Sequence, residues 1–528
     1  MNMAGTHDES RVHDGTRQAL NRRRLLLGIL ALALGLRVYH LGVEDFWQDE
    51  IHSMYNSAGT RGPVEELPHG VILKDLPRYS DLTERSTPGA VWRTVDDDSH
   101  PPFYFLLLLL WRRLVGDGEA AIRFMPVVFS VLSIVPAALA ARELGARRAP
   151  LILALILAVS FCHINMAQEN RPYSLSGLFV NVSFYLLVRM ERRWATWGTR
   201  SKFIHAALYG VTLFVAMMNH YFAAFAFCGQ LVYVLLCRRG SLWRAWWGPT
   251  IAAAALFLAL WGPHVLRQRE FIVQQDWLDE NLPDHAQRTV LRVADLPIRS
   301  LFRVSRFKLS EPNALLGVGL MAATCIYLWK RRARPAVVFA CWYFVPVLAF
   351  AAIDLATTRQ HLTHFRYPSV ALPGLAGLLA IAISELPTRL RRGAIAVVLL
   401  AAAPTVMFLP AQDNPHSRAA AALIKSDITP NDLLVYHAIE WPSFWALRMF
   451  QMVSYYLPKN PPTLLLREPP DEALRSQIAS FDRLYVVSPL PEGIPNPTPE
   501  IFPYVEKSDW IVDVGWVYRC TREPPAGR

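Results

Sequence analysis

Charge is scarce in this chain. Only 18% of its 528 residues are Asp, Glu, Lys or Arg, whereas soluble domains average about 25%. Hydrophobic residues make up 53%, and the mean hydropathy is +0.21. This composition excludes an ordinary soluble enzyme.

The cysteine pattern is equally restrictive. None of the six cysteines belongs to a CxxC pair, five of them lie in or next to apolar segments, and Cys520 stands alone near the C-terminus. The sequence therefore excludes a disulfide framework and a CxxC metal site. The first apolar block follows Arg22–Arg24 and has no small-residue cleavage site after it, which predicts an uncleaved membrane anchor.

Long apolar blocks are abundant instead. A helix needs roughly 20 apolar residues to cross a bilayer, at about 1.5 Å of rise per residue. Blocks of this kind predict an all-α polytopic membrane protein with about 11 transmembrane helices. The candidate spans are 25–43, 120–141, 149–167, 173–190, 203–219, 221–237, 248–266, 313–329, 335–355, 367–384 and 393–410.

The apolar block 101–111 is too short for a span. If this block does not cross the membrane and Arg22–Arg24 are cytoplasmic, five later basic clusters also lie on the cytoplasmic side. If the block did cross, these five clusters would face outward, against the positive-inside preference. We therefore expect a juxtamembrane helix here, an odd number of spans and an outward-facing C-terminus. The net charge of +11 then reflects membrane orientation and not a nucleic-acid partner.

This topology divides the chain into three parts. A cytoplasmic tail (1–24) precedes a transmembrane domain (25–410), whose first extracytoplasmic loop (44–119) contains the juxtamembrane helix at 101–115. The last part, 411–528, is predicted to be a small extracytoplasmic α/β domain. Its pattern indicates a helix over Ser417–Lys425 and strands at 433–438, 483–488 and 516–520.

Paired carboxylates, Asp49 and Glu50, follow the first span directly. Such a pair can act as a general base, bind a metal or be solvated loop charge, and the spacing leaves all three readings open. The loop ends in Asp96–Asp98, which is typical of a turn or helix cap. His100 follows at headgroup level, where it can meet a lipid phosphate.

Polar side chains crowd a short outward turn at Gln168, Glu169 and Arg171. Near the hydrocarbon edge they cost desolvation energy unless they face a polar cavity or each other. A Glu169–Arg171 pair that only staples the turn is the alternative. His220 marks the next outward turn, where a histidine is either structural or a ligand.

The last outward turn is strongly basic, which violates the positive-inside preference. It contains Arg359, His361, His364, Arg366 and Tyr367. Either an anionic lipid headgroup compensates this charge, since arginine binds phosphate in a bidentate manner, or acids of the first loop do so.

Four segments carry a family resemblance across roughly the first 410 residues. In this order they resemble bacterial polyprenyl-phosphate-sugar-dependent glycosyltransferases of the GT-C class, near the protein O-mannosyltransferase-like, lipid A aminoarabinose transferase-like and RgtA/B/C/D-like families. The segments are LRVYHLGVEDFWQDE (36–50), HPPFYFLLLLLWRRLVGDGEAAIRFMPVVF (100–129), INMAQENRPYSL (164–175) and HFRYPSVALPGLAGLL (364–379).

The resemblance implies a GT-C fold and a sugar donor linked to polyprenyl phosphate. By similarity, Asp49 is the catalytic base that deprotonates the acceptor hydroxyl, and Glu50 orients the acceptor or a cation. No metal ligand is assigned, although Mg²⁺ or Mn²⁺ at this pair is compatible with the resemblance. The residues expected to bind the donor phosphate or substrate are His100, Gln168, Glu169, Arg171, Tyr173, His220, Arg366 and Tyr367.

The expected activity is hexosyl or pentosyl transfer to an envelope glycan, lipid or protein. The expected location is the bacterial inner membrane, with the active site and C-terminus outside. Two other classes compete with this reading. A lipid or solute transporter would favour inverted repeats and ionisable residues in mid-helix, and a membrane scaffold or receptor would use the tail as its working part.

Overall fold

The chain forms two compact units. The membrane unit contains Met1–Leu41, Asp96–Tyr104 and Arg123–Leu409; the α/β unit contains Gly42–Val95, Phe105–Ile122 and Pro410–Arg528. A computed structural model describes residues 5–60, 67–237, 240–273, 284–302, 311–357, 359–407, 416–437, 444–488, 497–507 and 514–524.

Helices build the membrane unit. They are α1 (Gly5–Val38), α5 (Glu119–Glu143), α6 (Ala149–Val159), α7 (Phe161–Ala167), α8 (Tyr173–Arg193), α9 (Thr199–Asn219), α10 (Ala223–Cys237), α11 (Gly240–Val273), α12 (His285–Leu301), α13 (Glu311–Lys330), α14 (Ala336–Ala356), α15 (Leu372–Glu385) and α16 (Thr388–Met407). Helices α2 (Gln48–Ala58) and α3 (Pro88–Thr94) belong to the α/β unit. Helix α4 (Phe103–Val115) has its first two residues in the membrane unit and the rest in the α/β unit.

Among the described residues, seven helices are long and apolar enough to cross a membrane, or eight if the bent pair α6–α7 forms one span. The prediction of a polytopic helical membrane protein is therefore confirmed. The predicted spans at 25–43, 221–237 and 393–410 overlap α1, α10 and α16, which are not in that group. The count of eleven stays a prediction.

The short apolar block at 101–111 forms α4, a helix of 13 residues. At about 1.5 Å per residue it is roughly 20 Å long, less than the ~30 Å hydrocarbon core. This length agrees with the expected juxtamembrane helix, whose placement relative to a membrane stays a prediction.

A break between α6 and α7 shapes the membrane unit near the predicted site. The two helices meet at Ser160 with a bend of 59°. The break leaves carbonyls of the last turn of α6 without helical partners. Arg37 of α1 supplies donors to two of them, the carbonyls of Leu157 and Ala158, both at 3.0 Å.

Arg37 is completely buried, and its other contacts explain how an apolar bundle tolerates it. Its Nε donates to Ser130 Oγ at 2.9 Å, and one Nη lies 2.8 Å from His163 Nδ1. A buried guanidinium is tolerated when its donors are bound. Arg37 thus stabilises the bend that leads into the polar turn after α7.

A six-stranded sheet lies at the centre of the α/β unit. Its order is β1-β3-β2-β4-β6-β5, with β2 parallel to β3 and β4 and the other pairs antiparallel. The strands are β1 (Ile72–Leu73), β2 (Leu433–His437), β3 (Thr463–Leu466), β4 (Leu484–Ser488), β5 (Tyr504–Lys507) and β6 (Trp516–Thr521). Helix α17 (Ser417–Lys425) precedes β2, α18 (Phe444–Tyr456) joins β2 to β3, and α19 (Glu472–Ile478) joins β3 to β4.

The side chains of the central strand β2 pack against helices on both faces of the sheet. All five of its residues are buried, as expected for a parallel strand covered on both sides. Successive side chains alternate between faces, so Leu434 and Tyr436 join the core with α17 and α18. Leu433 and Val435 pack on the opposite face with α19.

The predicted α/β character of the tail is confirmed, because α17, β2, β4 and β6 lie where the sequence pattern placed them. Sequence reasoning missed β3, β5, α18 and α19. It also missed that β1, from the first loop, pairs antiparallel with β3 of the tail. The division at residue 410, made by hydropathy, stays a prediction.

His437, at the end of β2, makes the α/β unit sensitive to acid. Burial lowers the pKa of this histidine to about 4, whereas an unfolded chain titrates near 6.5. The unfolded state therefore binds more protons between these values, and stability falls as pH falls through this window. Between pH 7.5 and pH 5, protonation of His437 in the unfolded state lowers the free energy of unfolding by about 2 kcal/mol.

We predict that His437→Gln, which cannot titrate, loses less thermal stability than the parent between pH 7.5 and pH 5. Thermal unfolding of both proteins in detergent measures this difference. An equal pH dependence in the two proteins would show that the histidine at 437 is not responsible.

Candidate active site

The predicted site residues fall into two groups. Asp49 and Glu50 belong to the α/β unit, at the start of α2. The structure brings the other predicted residues together around turns between helices of the membrane unit. These are His100, Gln168, Glu169, Arg171, Tyr173, His220, Arg366 and Tyr367.

The turn between α7 and α8 buries its polar side chains. Asn165 donates to Glu169 Oε1 at 2.8 Å, and the Arg171 N–H donates to the Glu169 carbonyl at 2.8 Å. Gln168 donates to the carbonyl of Arg37 in the last turn of α1 (3.1 Å) and to that of Tyr39, which follows the helix (2.8 Å). Gln168 therefore ties the turn to α1.

Arg171 and His100 meet in the centre of the membrane-unit cluster. Arg171 Nη2 lies 3.3 Å from His100 Nε2, and both residues are more than nine-tenths buried. His100 Nδ1 lies 3.0 Å from Asp98 Oδ1. A neutral imidazole with its proton on Nδ1 satisfies both contacts, because it donates to Asp98 and accepts from Arg171.

His220 adds a hydrogen-bond donor beside this pair. Its ring centroid lies 5.1 Å from that of His100 and 5.3 Å from that of Tyr173. Burial, followed by the neighbouring His100, Arg171 and Arg366 side chains, lowers the pKa of His220 well below its usual value. His220 is therefore neutral at pH 7.

The tautomer of His220 follows from its backbone contact. Nδ1 accepts the N–H of Phe222 at 3.2 Å, so the ring proton sits on Nε2. Nε2 is buried and has no hydrogen-bond partner in the described part of the chain. A buried N–H of this kind suits an anionic ligand oxygen.

The late basic turn contributes Arg366 and Tyr367. The Arg366 guanidinium lies 5.2 Å from the centroid of the Tyr367 ring, and Tyr367 is 6.5 Å from Tyr173 between ring centroids. The turn therefore joins the same aromatic and cationic cluster.

Two buried charged side chains bind the backbone of this turn. Asp354, at the end of α14, accepts the backbone N–H groups of His361 and Leu362, each at 2.9 Å. Arg299, on α12, donates to the carbonyls of Leu362 (2.9 Å) and Thr363 (3.0 Å). Charge-assisted contacts of this kind are short and strong, so the backbone leading to Arg366 is tightly defined.

Sequence reasoning missed Gln268, which is 1% exposed near the end of α11. Its Nε2 donates to the His100 carbonyl at 3.2 Å, and its Oε1 accepts a hydrogen bond from Tyr221. Tyr221 in turn accepts from Trp261 Nε1 at 2.8 Å. Nothing in the run around residue 268 distinguishes this glutamine from solvated neighbours, so only the fold reveals it.

In the α/β unit, Asp49 and Glu50 occupy the first turn of α2. Glu50 is fully buried, and its Oε2 lies 3.4 Å from the N–H of Trp47, the residue before the helix. Asp49 is only half-buried. Carboxylates are favoured in the first turn because the helix dipole is positive there.

Arg112 holds the other end of α2. This buried arginine donates to the Met54 carbonyl (2.8 Å) and to Ser57 Oγ (2.9 Å), and it forms an ion pair with Asp117 at 2.7 Å. The helix that carries Asp49 is thus fixed within the α/β unit by a bound guanidinium.

The described residues contain no group of three or more His, Cys, Asp or Glu side chains arranged to hold a metal ion. Asp49 and Glu50 supply two carboxylates, and Glu50 is already turned toward the Trp47 N–H. The acidic pair alone therefore does not fit the usual six-oxygen shell of Mg²⁺ or Mn²⁺ without ligands from water or substrate.

Comparison with known proteins finds one family model that matches part of the chain. Residues 99–266 match the family model for dolichyl-phosphate-mannose-protein mannosyltransferase. No curated protein sequence matches the chain.

Two solved structures share the fold over nearly the whole length. Apo ArnT from Cupriavidus metallidurans is 14% identical, with a TM-score of 0.58 over 94% of this chain and 98% of that chain. ArnT bound to undecaprenyl phosphate is also 14% identical, with a TM-score of 0.60 over 94% and 97%. The resemblance to the GT-C class that four sequence segments predicted is therefore confirmed, and the chain has the ArnT-like fold of a multi-pass membrane protein.

Proposed function

We propose that this protein is a membrane glycosyltransferase that moves a sugar from a polyprenyl-phosphate donor to an acceptor hydroxyl on an envelope glycan, lipid or protein. The observation that carries the proposal is the buried cluster of Arg171, His100 and His220 inside the segment that matches the mannosyltransferase family model. ArnT, which shares the fold, has been crystallised with undecaprenyl phosphate. The transporter alternative gains no support from these relatives.

The reaction breaks the bond between the anomeric carbon and the phosphate oxygen while the acceptor oxygen bonds to that carbon. Negative charge grows on the departing polyprenyl phosphate, and preorganised donors stabilise it best. We assign this role to the Arg171 and Arg366 guanidinium groups and the N–H of His220, with His100 orienting Arg171. Glu169, Gln168, Tyr173 and Tyr367 complete the proposed binding site for the donor.

The acceptor proton needs a base, and we assign it to Asp49. A carboxylate positioned at the acceptor hydroxyl removes the proton as the new bond forms. Glu50, one residue further along α2, orients the acceptor. Each step assigned here uses side chains of this chain.

Mass spectrometry of envelope glycans and lipids, from cells with and without the gene, tests the function and reports sugar and acceptor together. A hexose or pentose modification that disappears with the gene supports the proposal. An unchanged envelope, together with no consumption of undecaprenyl-phosphate-linked sugars by the purified protein, would reject it.

The active site is proposed to face outward from a bacterial inner membrane. We predict that cysteines at Arg85→Cys and Thr196→Cys, both exposed positions, react with a membrane-impermeant maleimide from opposite sides. In intact cells the reagent should label only the Arg85→Cys variant, and in permeabilised cells it should label both variants. The parent protein, with its six cysteines, gives the background. Labelling of both variants in intact cells would overturn the topology.

A further inference from the structure

Helix α2, which carries Asp49, packs against α18 of the C-terminal segment, and Gln451 makes two of the polar contacts between them. Gln451 of α18 is 1% exposed. Its Oε1 lies 3.2 Å from Gln48 Nε2 and 3.1 Å from His52 Nε2. Gln48 and His52 are four residues apart and therefore lie on the same face of α2. One oxygen thus joins the first and second turns of the helix that carries Asp49.

The segment that leads into α2 is bound by the C-terminal end of α18. The Phe46 N–H donates to the hydroxyl of Tyr456 at 2.7 Å, and that hydroxyl donates to the Glu119 carboxylate. Burial, followed by the charge of Glu119, raises the pKa of Tyr456, so the hydroxyl keeps its proton. The Phe46 ring also packs against Tyr455, with 5.6 Å between centroids.

Asp45, one residue earlier, is bound by the C-terminal segment as well. Its Oδ2 accepts the backbone N–H of Arg418 at 2.6 Å, and its Oδ1 lies 3.3 Å from Arg418 Nε. Asp45, Phe46, Gln48 and His52, which lie before, within and after the first turn of α2, therefore all contact α17 or α18.

We propose that the C-terminal segment serves as a rigid support for the proposed catalytic base, and that Gln451 is a positioning residue for Asp49. This inference rests on the proposed function, in which Asp49 deprotonates the acceptor. Gln451 does not touch the reacting atoms. It sets the rotation of α2, on which the direction of the Asp49 carboxylate depends.

The chemistry of the contact defines the variants. Gln451→Met keeps the length of the side chain but removes the oxygen, which leaves two donors of α2 without this acceptor at a buried position. Gln451→Glu keeps an oxygen in the same place. Gln477→Met is the matched control, because Gln477 is exposed on α19 in the same unit.

Two measurements on the full-length protein test the proposal. Hydrogen–deuterium exchange reports the order of residues 46–54, and steady-state kinetics use the undecaprenyl-phosphate-linked sugar that the parent turns over fastest. For Gln451→Met we expect faster exchange in 46–54 and a kcat lower by about tenfold, with the donor KM unchanged, since small misplacement of a reacting group is costly. Gln451→Glu should recover most of the kcat, and Gln477→Met should match the parent.

Parent-like exchange and kcat in Gln451→Met would overturn the positioning role. An equal fall of kcat in Gln451→Glu and Gln451→Met would also overturn it, because it would indicate a packing effect unrelated to the oxygen. Full turnover by Asp49→Asn would instead reject the proposed base. An inactive Asp49→Asn beside a fully active Gln451→Met would leave the proposed function standing and remove only this inference.

Discussion

Asp49→Asn is expected to lower kcat for sugar transfer by about 10²- to 10⁴-fold, the range that general bases contribute. The amide has the shape of the carboxylate but cannot take the acceptor proton. Asp49 is half-buried in the first turn of α2, where asparagine is tolerated, so the variant should fold. Turnover of undecaprenyl-phosphate-linked sugars in detergent, with native envelope extract as acceptor, measures the loss.

Asp81→Asn is the matched control for this experiment. Asp81 lies in the same loop, its side chain is 49% exposed, and its only ion pair in the described residues is a surface contact with Arg78. Exposed pairs of this kind contribute little, so activity and stability should stay close to the parent. If Asp49→Asn also turns over donor at the parent rate, the base lies elsewhere.

Arg171→Met is expected to lower kcat/KM by about 10²- to 10³-fold, as removal of one preorganised donor does at other charge-stabilising sites. Arg171 is 5% exposed and lies 3.3 Å from His100 Nε2. The charge on the lipid phosphate increases as the sugar leaves, so the variant should lose both donor affinity and kcat. Donor titration with kinetic analysis separates the two effects.

Arg171→Lys tests the geometry of this contact. A lysine keeps the positive charge but lacks the planar fork of donors, so an intermediate loss is expected. Arg200→Met, at an exposed position, controls for removal of an arginine. Monodisperse Arg171→Met with parent kcat/KM would show that the donor phosphate is bound by other groups.

Several features of this protein were predictable because they depend on composition and on local periodicity. Apolar blocks of bilayer length predicted most of the helices that are able to cross a membrane, and the eleven-residue block at 101–111 predicted a helix too short to do so. Alternating and continuous apolar runs predicted β2 and β4. The polar turns at 168–173 and 366–367 were conspicuous because polar residues are costly near hydrocarbon.

The missed features depend on contacts between residues distant in sequence. Gln268 looks like a surface residue, yet it binds the His100 carbonyl from more than 160 positions away. β1 has only two residues and is a strand because β3 pairs with it. Gln451 lies in an apolar run without a functional motif, and only the packing of α18 against α2 shows its two contacts.

The sequence by itself determined that this is a helical membrane protein, where its polar turns lie and which class it resembles, because hydropathy and short motifs are local properties. The tertiary structure decided which of those turns come together. It buried His100, Arg171 and His220 in one cluster, assigned the proton of His220 to Nε2, and seated the helix of Asp49 on the C-terminal segment. These outcomes depend on desolvation and on long-range hydrogen bonds, which exist only once the chain has folded.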